Sequence, residues 1–111
     1  MTLPQIIETT FFAKQADALL TADEQFDLST RLMANPMAGV VEPGTGGLRK
    51  LRLGFGGRGK RGGARVVYFH ASRAGEVLLL ALFAKNEQSM LTVDQKHALR
   101  QIVEAEYGKH R

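Results

Sequence analysis

The side chains best suited to chemistry in this 111-residue chain are cations. Lys50 and Arg52 stand two apart in Leu48 to Leu53, whose alternation predicts a strand. Both therefore project from one face, with Arg49, Leu51 and Leu53 on the other. Arg65 opens the next apolar run, and Lys85 follows the one after it. If these runs are neighbouring strands, Lys50, Arg52, Arg65 and Lys85 converge on one sheet surface. The segment from Gly54 to Gly63 adds Arg58, Lys60 and Arg61 on a glycine-rich loop, which brings cations to a ligand backbone without steric hindrance. Such a cluster suits phosphates. The plainer reading is solubilising charge at strand edges.

Other chemistries fit poorly. Gly54 to Gly59 satisfies the letters G-x-G-x-x-G, and Gly54 to Lys60 the first seven letters of the P-loop, but Arg61 stands where a P-loop needs Ser or Thr. Both motifs also need a following helix to meet the phosphates, whereas Val66 to Phe69 predicts a strand. His70, His97 and His110 share no metal-ligand spacing, so no metal and no cofactor is expected. His70 reads first as a satisfied strand histidine and second as a site-lining one. With no Cys, the chain has no disulfide framework, thiol nucleophile or thiolate metal site, which fits a reducing compartment.

These cations must be positioned by one domain, 1–111, of the size that supports a single core. Leu3 to Glu8 predicts a first strand. Thr10 is set to cap a helix through Phe11, Phe12, Ala16, Leu19 and Leu20. Thr21 and Glu24 form a capping box for a second helix running to Asn35, with Phe26, Leu28, Leu32 and Met33 inward. Pro36 ends it. The pattern then turns to β: a turn at Gly44 to Gly47, strands at Leu48 to Leu53, Arg65 to Ala71 and Glu76 to Ala84, and a hairpin turn at Ser72 to Gly75. A second capping box, Thr92 to Gln95, starts a last helix to Tyr107 with Ala98, Leu99, Ile102, Val103 and Tyr107 on one side. The expected class is α+β, a helical hairpin and a late helix around an antiparallel meander.

Placement sharpens the net charge of +4. Between Glu42 and Glu76 lie 33 residues with eight basic and no acidic side chains, against seven basic and eleven acidic in the rest. Such a centre repels itself, and the simplest benefit is an anionic partner, most often nucleic acid. A solvated basic loop is the alternative. The longest apolar run, Val77 to Ala84, is eight residues, well short of the ~20 a membrane helix needs. With no signal-peptide pattern at the start, a soluble cytoplasmic protein is expected.

The segments Gly44 to Lys50, Gly59 to Gly63, Arg65, and Leu82 to Glu87 resemble the HigB-like branch of the RelE family of bacterial toxins, the toxin halves of type II toxin–antitoxin modules. The resemblance runs through nearly the whole chain in element order. It implies a RelE-like fold, with an N-terminal strand and helical hairpin, a three-to-four-stranded antiparallel sheet and a C-terminal helix. It also implies a metal-free endoribonuclease that enters the ribosomal A site and cuts the messenger until a cognate antitoxin wraps it.

In such a reaction a ribose 2′-hydroxyl attacks the adjacent phosphate, and cations stabilise the extra charge of the phosphorane. The resemblance implies catalytic roles for Lys50, Arg52, Arg65 and Lys85. Lys50 would be the general base, a role in which neighbouring cations help its amine to lose a proton. Arg52 and Arg65 would hold the scissile phosphate. Arg49, Arg58, Lys60, Arg61 and Asn86 are the expected RNA contacts. Asn86 stands where better-studied members have an arginine, and Thr92 where they have a tyrosine; the HigB-like branch itself shows the Lys-Asn-Glu form. Leaving-group protonation is thus unassigned, with Tyr68 and His70 as substitutes despite alternating opposite to Arg65. The competing readings are a gyrase-poisoning ParE-like toxin and a non-catalytic RNA- or ribosome-binding module.

Overall fold

A computed structural model describes residues 2–54, 63–84 and 90–108 of the chain. The elements run β1 (Gln5–Glu8), α1 (Thr10–Leu19), α2 (Ala22–Ala34), β2 (Val40–Val41), β3 (Leu48–Leu53), β4 (Ala64–Ala71), β5 (Glu76–Ala84) and α3 (Val93–Tyr107). The class is the expected α+β. One sheet has the order β1-β5-β4-β3-β2, with α1 and α2 packed on one face and α3 on the other.

Local chemistry fixes the helix ends. Thr21 accepts from the Glu24 amide while the Glu24 carboxylate accepts from the Thr21 amide at 2.8 Å. Thr92 and Gln95 repeat the arrangement at the start of α3, so both predicted capping boxes form. The first cap differs from expectation: it is Thr9, with Thr10 already helical. The Thr9 hydroxyl accepts from the Phe12 amide at 3.2 Å and donates to the Leu79 carbonyl at 3.0 Å, so a contact from β5 selects the threonine nearer the sheet.

The sheet departs from the expected three-to-four-stranded antiparallel meander in having five strands and being mixed. β1 pairs with β5 in parallel, Ile6 beside Val77, because the chain crosses the sheet through α1 and α2 before it returns. β2 is only two exposed valines, too short to leave an alternating pattern. The long hairpins match expectation: β3 to β4 to β5 is antiparallel throughout, and β4 is the central strand.

Two cores follow from strand alternation. Leu51, Leu53, Val66, Tyr68 and Leu79 pack against Phe12, Ala16, Leu28 and Leu32 beneath α1 and α2. Leu48, Val67, Phe69, Leu78 and Phe83 pack against Leu99 and Val103 beneath α3. Covered on both faces, β5 is apolar at nearly every position. Its pairing with β4 shifts register between Val67 and Tyr68, and Leu80 and Ala81 consequently both face α3.

Not every residue expected inward is buried. Phe26 is 74% exposed and Phe11 56%, while Phe12, Leu28 and Leu32 fill the core. The sheet is covered by a narrower stripe of each helix than its apolar residues span. Phe11, Ala98 and Ile102 instead join Phe83 and Leu91 along a groove of about 310 Å³ between α1 and α3. Among the described residues, no helix is long and apolar enough to cross a membrane.

Candidate functional site

β3 and β4 are the platform for the cations. Their register sets Arg52 directly opposite Arg65 and Lys50 opposite Val67. Leu48 and Val67 belong to the core beneath α3, and Leu51, Leu53, Ala64 and Val66 to the core beneath α1 and α2. By alternation, Lys50, Arg52 and Arg65 therefore share the α3 side of the sheet. Arg52 is exposed; Lys50 and Arg65 are half-buried. Like charges directly opposite across a strand pair repel, and an anion held between the Arg52 and Arg65 guanidiniums would offset that repulsion. The Arg65 guanidinium also donates to the Ala64 carbonyl at 3.3 Å.

Two features fix the hairpin at its loop end. Behind Arg52, the Arg31 guanidinium of α2 donates to the Arg52 carbonyl at 3.3 Å. At the mouth of the β3–β4 connection, Gly63 has φ +64°, and a Cβ there would collide with the Leu53 carbonyl. Glycine is required at that point, next to the strand that carries Arg65.

Arg49 does not join this cluster. It lies opposite Tyr68 on the α1 and α2 side, and its guanidinium donates to the carbonyls of Gly39 at 2.7 Å and Met37 at 3.4 Å. Tyr68 is fully buried beside it. The phenol oxygen accepts from the Gly39 amide and donates to the Pro36 carbonyl, each at 2.8 Å, and burial raises its pKa, so it stays protonated at neutral pH. His70 shares that face by alternation. Burial and then the Arg49 charge lower its pKa, which leaves a neutral imidazole at pH 7. Both candidate proton donors thus sit across the sheet from Lys50, with Tyr68 committed to the chain between α2 and β2. Of the other expected site residues, Arg58, Lys60, Arg61, Lys85 and Asn86 lie outside the described residues.

A residue without a sequence-derived role completes the described cluster. Glu42 follows β2, and its Oε1 lies 3.3 Å from Lys50 Nζ, with both side chains largely buried (16% and 23% exposed). The turn that carries it is built around Thr45, itself 1% exposed. The Thr45 hydroxyl donates to the Glu42 carbonyl at 2.6 Å and accepts from the Leu48 amide at 3.1 Å, and the Glu42 amide donates to the Leu48 carbonyl at 2.8 Å. Gly46, at φ +73°, lets the same turn approach the Arg100 guanidinium of α3, where a side chain would collide. The available signal was positional: Glu42 is the last acid before the 33-residue acid-free stretch.

Chemically, an ammonium and two guanidiniums on one half-buried sheet face can bind a phosphodiester and stabilise charge that grows on it. Among the described residues, no group of three or more His, Asp or Glu side chains is placed to share a metal ion.

No family model matches the chain. Its fold is similar to that of the solved structure of the Escherichia coli toxin RelE, an arginine-to-alanine double mutant in the free state. The TM-score is 0.60 at 12% sequence identity, over 92% of this chain and 98% of that one. At that identity the likeness is one of architecture, and the five-stranded sheet between a helical hairpin and a C-terminal helix is a RelE-like fold.

Proposed function

We propose that this protein is the toxin of a type II toxin–antitoxin pair and acts in the cytoplasm as a ribosome-dependent endoribonuclease that cuts messenger RNA in the A site. The observation that carries this reading is the placement of Lys50, Arg52 and Arg65 on one face of a RelE-like sheet. In the proposed reaction the ribose 2′-oxygen bonds to phosphorus and the bond to the 5′-oxygen breaks. The leaving 5′-oxygen takes a proton from water, and a 2′,3′-cyclic phosphate and a 5′-hydroxyl result. Lys50 takes the 2′-hydroxyl proton, and Arg52 and Arg65 hold the phosphate and stabilise the phosphorane. Lys85, Asn86 and the loop cations Arg58, Lys60 and Arg61 are proposed to extend the contact along the RNA. The partner is a cognate antitoxin that covers the cationic face or docks on the helices.

The test is to map messenger 5′ ends in a translating extract with wild-type protein, Lys50→Ala and Arg65→Ala. The wild type is expected to cut messengers only when they are being translated, and each variant to cut about 10²- to 10³-fold more slowly. Wild-type protein that produces no new 5′ ends, or variants that cut as fast, refute the reading. Inhibition of gyrase supercoiling by protein that cuts no messenger would instead support the ParE-like alternative.

A further inference from the structure

We infer that Glu42 is a positioning residue for Lys50, and that the two work as one ammonium–carboxylate pair setting where the scissile phosphate lies. The inference rests on the proposed ribonuclease reading and deepens it. A lysine side chain has four rotatable bonds and loses much freedom when held in one place. Lys50 is held by a carboxylate 3.3 Å away, on a turn that three hydrogen bonds and the buried Thr45 make rigid. Glu42 extends β2, which pairs with β3 on the side opposite β4. It therefore draws the ammonium toward the sheet edge, away from Arg52 and Arg65. The scissile phosphate then lies on the β4 side of the ammonium, toward Arg52 and Arg65, which share its face of the sheet.

The carboxylate has a second effect, which is repulsion. Standing at the β2 edge, Glu42 disfavours phosphates beyond Lys50 and confines the backbone to the strip between β3 and β4. It also gives the transferred proton a destination. The Lys50 ammonium passes a proton to Glu42 and the amine so formed takes the 2′-hydroxyl proton, so the pair goes from ammonium and carboxylate to ammonium and carboxylic acid. Positive charge then stays beside the phosphorane throughout the step.

Glu42→Gln is nearly isosteric and keeps the backbone bonds of the turn, so its melting temperature serves as the folding control, with Glu42→Asp as a second variant. On programmed ribosomes, Glu42→Gln is expected to lower kcat about 10- to 100-fold. It is also expected to bind a 2′-O-methyl oligoribonucleotide, which cannot be cut, more tightly than wild type. These changes oppose each other, whereas structural damage lowers both. In a Lys50→Met background the same substitution is expected to leave kcat unchanged, because Glu42 acts on the chemical step through Lys50 and its repulsion of phosphates bears on binding alone. A further loss of kcat in that background, or a parallel loss of affinity and kcat, overturns the inference. If wild-type protein cuts nothing, the ribonuclease reading falls and a separate measurement decides this one. The Lys50 ammonium signal in a proton–nitrogen spectrum is expected in wild type and lost in Glu42→Gln; equal signals in both overturn it.

Discussion

At the scale of single residues, the phenol of Tyr68 shows how a buried polar group serves the site without entering it. Its oxygen satisfies the Gly39 amide and the Pro36 carbonyl at once, fixing the chain that leads from α2 to β2 and so to Glu42. Tyr68→Phe leaves both partners unsatisfied and is expected to cost about 1–3 kcal/mol in urea denaturation. The pH dependence has a definite sign. Burial raises the folded-state pKa of Tyr68 above the usual 10.0, so its contribution is complete below pH 10 and is lost as pH rises through the folded value. Tyr107 acts in the same direction, through burial and then its hydrogen bond to Glu76. Unfolding measured from pH 8 to 11 should therefore show an alkaline loss of stability that is shallower in Tyr68→Phe and in Tyr107→Phe. An unchanged slope in both variants would remove the tyrosines from that account. His70 has the opposite sense: its lowered pKa makes it a source of instability as pH falls below 6.5.

Elements were legible in the sequence where the determining contacts are local. Both capping boxes, the Leu48–Leu53 strand and the Ser72–Gly75 turn depend on neighbours within a few residues and form where their patterns lie. The shared face of Lys50 and Arg52 follows from alternation alone, and Arg65 joins it once β3 and β4 pair. What was not legible depends on distant partners. β2 exists because β3 has a free edge, the α1 cap is chosen by Leu79, and the Glu42–Lys50 pair needs a turn that brings the two side by side. Gly63 belongs to this second kind. Its positive φ and its approach to the Leu53 carbonyl exist only when the hairpin closes. Gly63→Ala is expected to destabilise the protein by about 1–3 kcal/mol. On the proposed ribonuclease reading it should also slow cleavage, because the strain falls where Arg52 and Arg65 are put in register. Denaturation and cleavage rates measured on the same preparation check both. Normal stability would show that the connection closes without a left-handed residue.

Taken over the whole molecule, the charge of +4 matters less than its division between the two sides of one sheet. Lys50, Arg52 and Arg65 lie on the α3 side, whereas Arg49, next to Lys50 in the strand and so on the opposite face, spends its guanidinium on the carbonyls of Gly39 and Met37. Binding to single-stranded RNA releases about 0.7 counterion equivalents per neutralised phosphate, so the slope of log affinity against log salt counts the cations that touch the backbone. Arg52→Gln and Arg65→Gln should each weaken binding and reduce that slope by about 0.7. Arg49→Gln changes the net charge by the same amount but removes its charge from the other face. It should lower thermal stability, by freeing the Gly39 carbonyl, and leave the slope alone. The comparison separates a directed site from a generally basic surface, since net charge alone predicts equal slopes for all three variants. Titrations of the 2′-O-methyl oligoribonucleotide at several salt concentrations decide between them, with a reduced slope for Arg49→Gln counting against the face assignment.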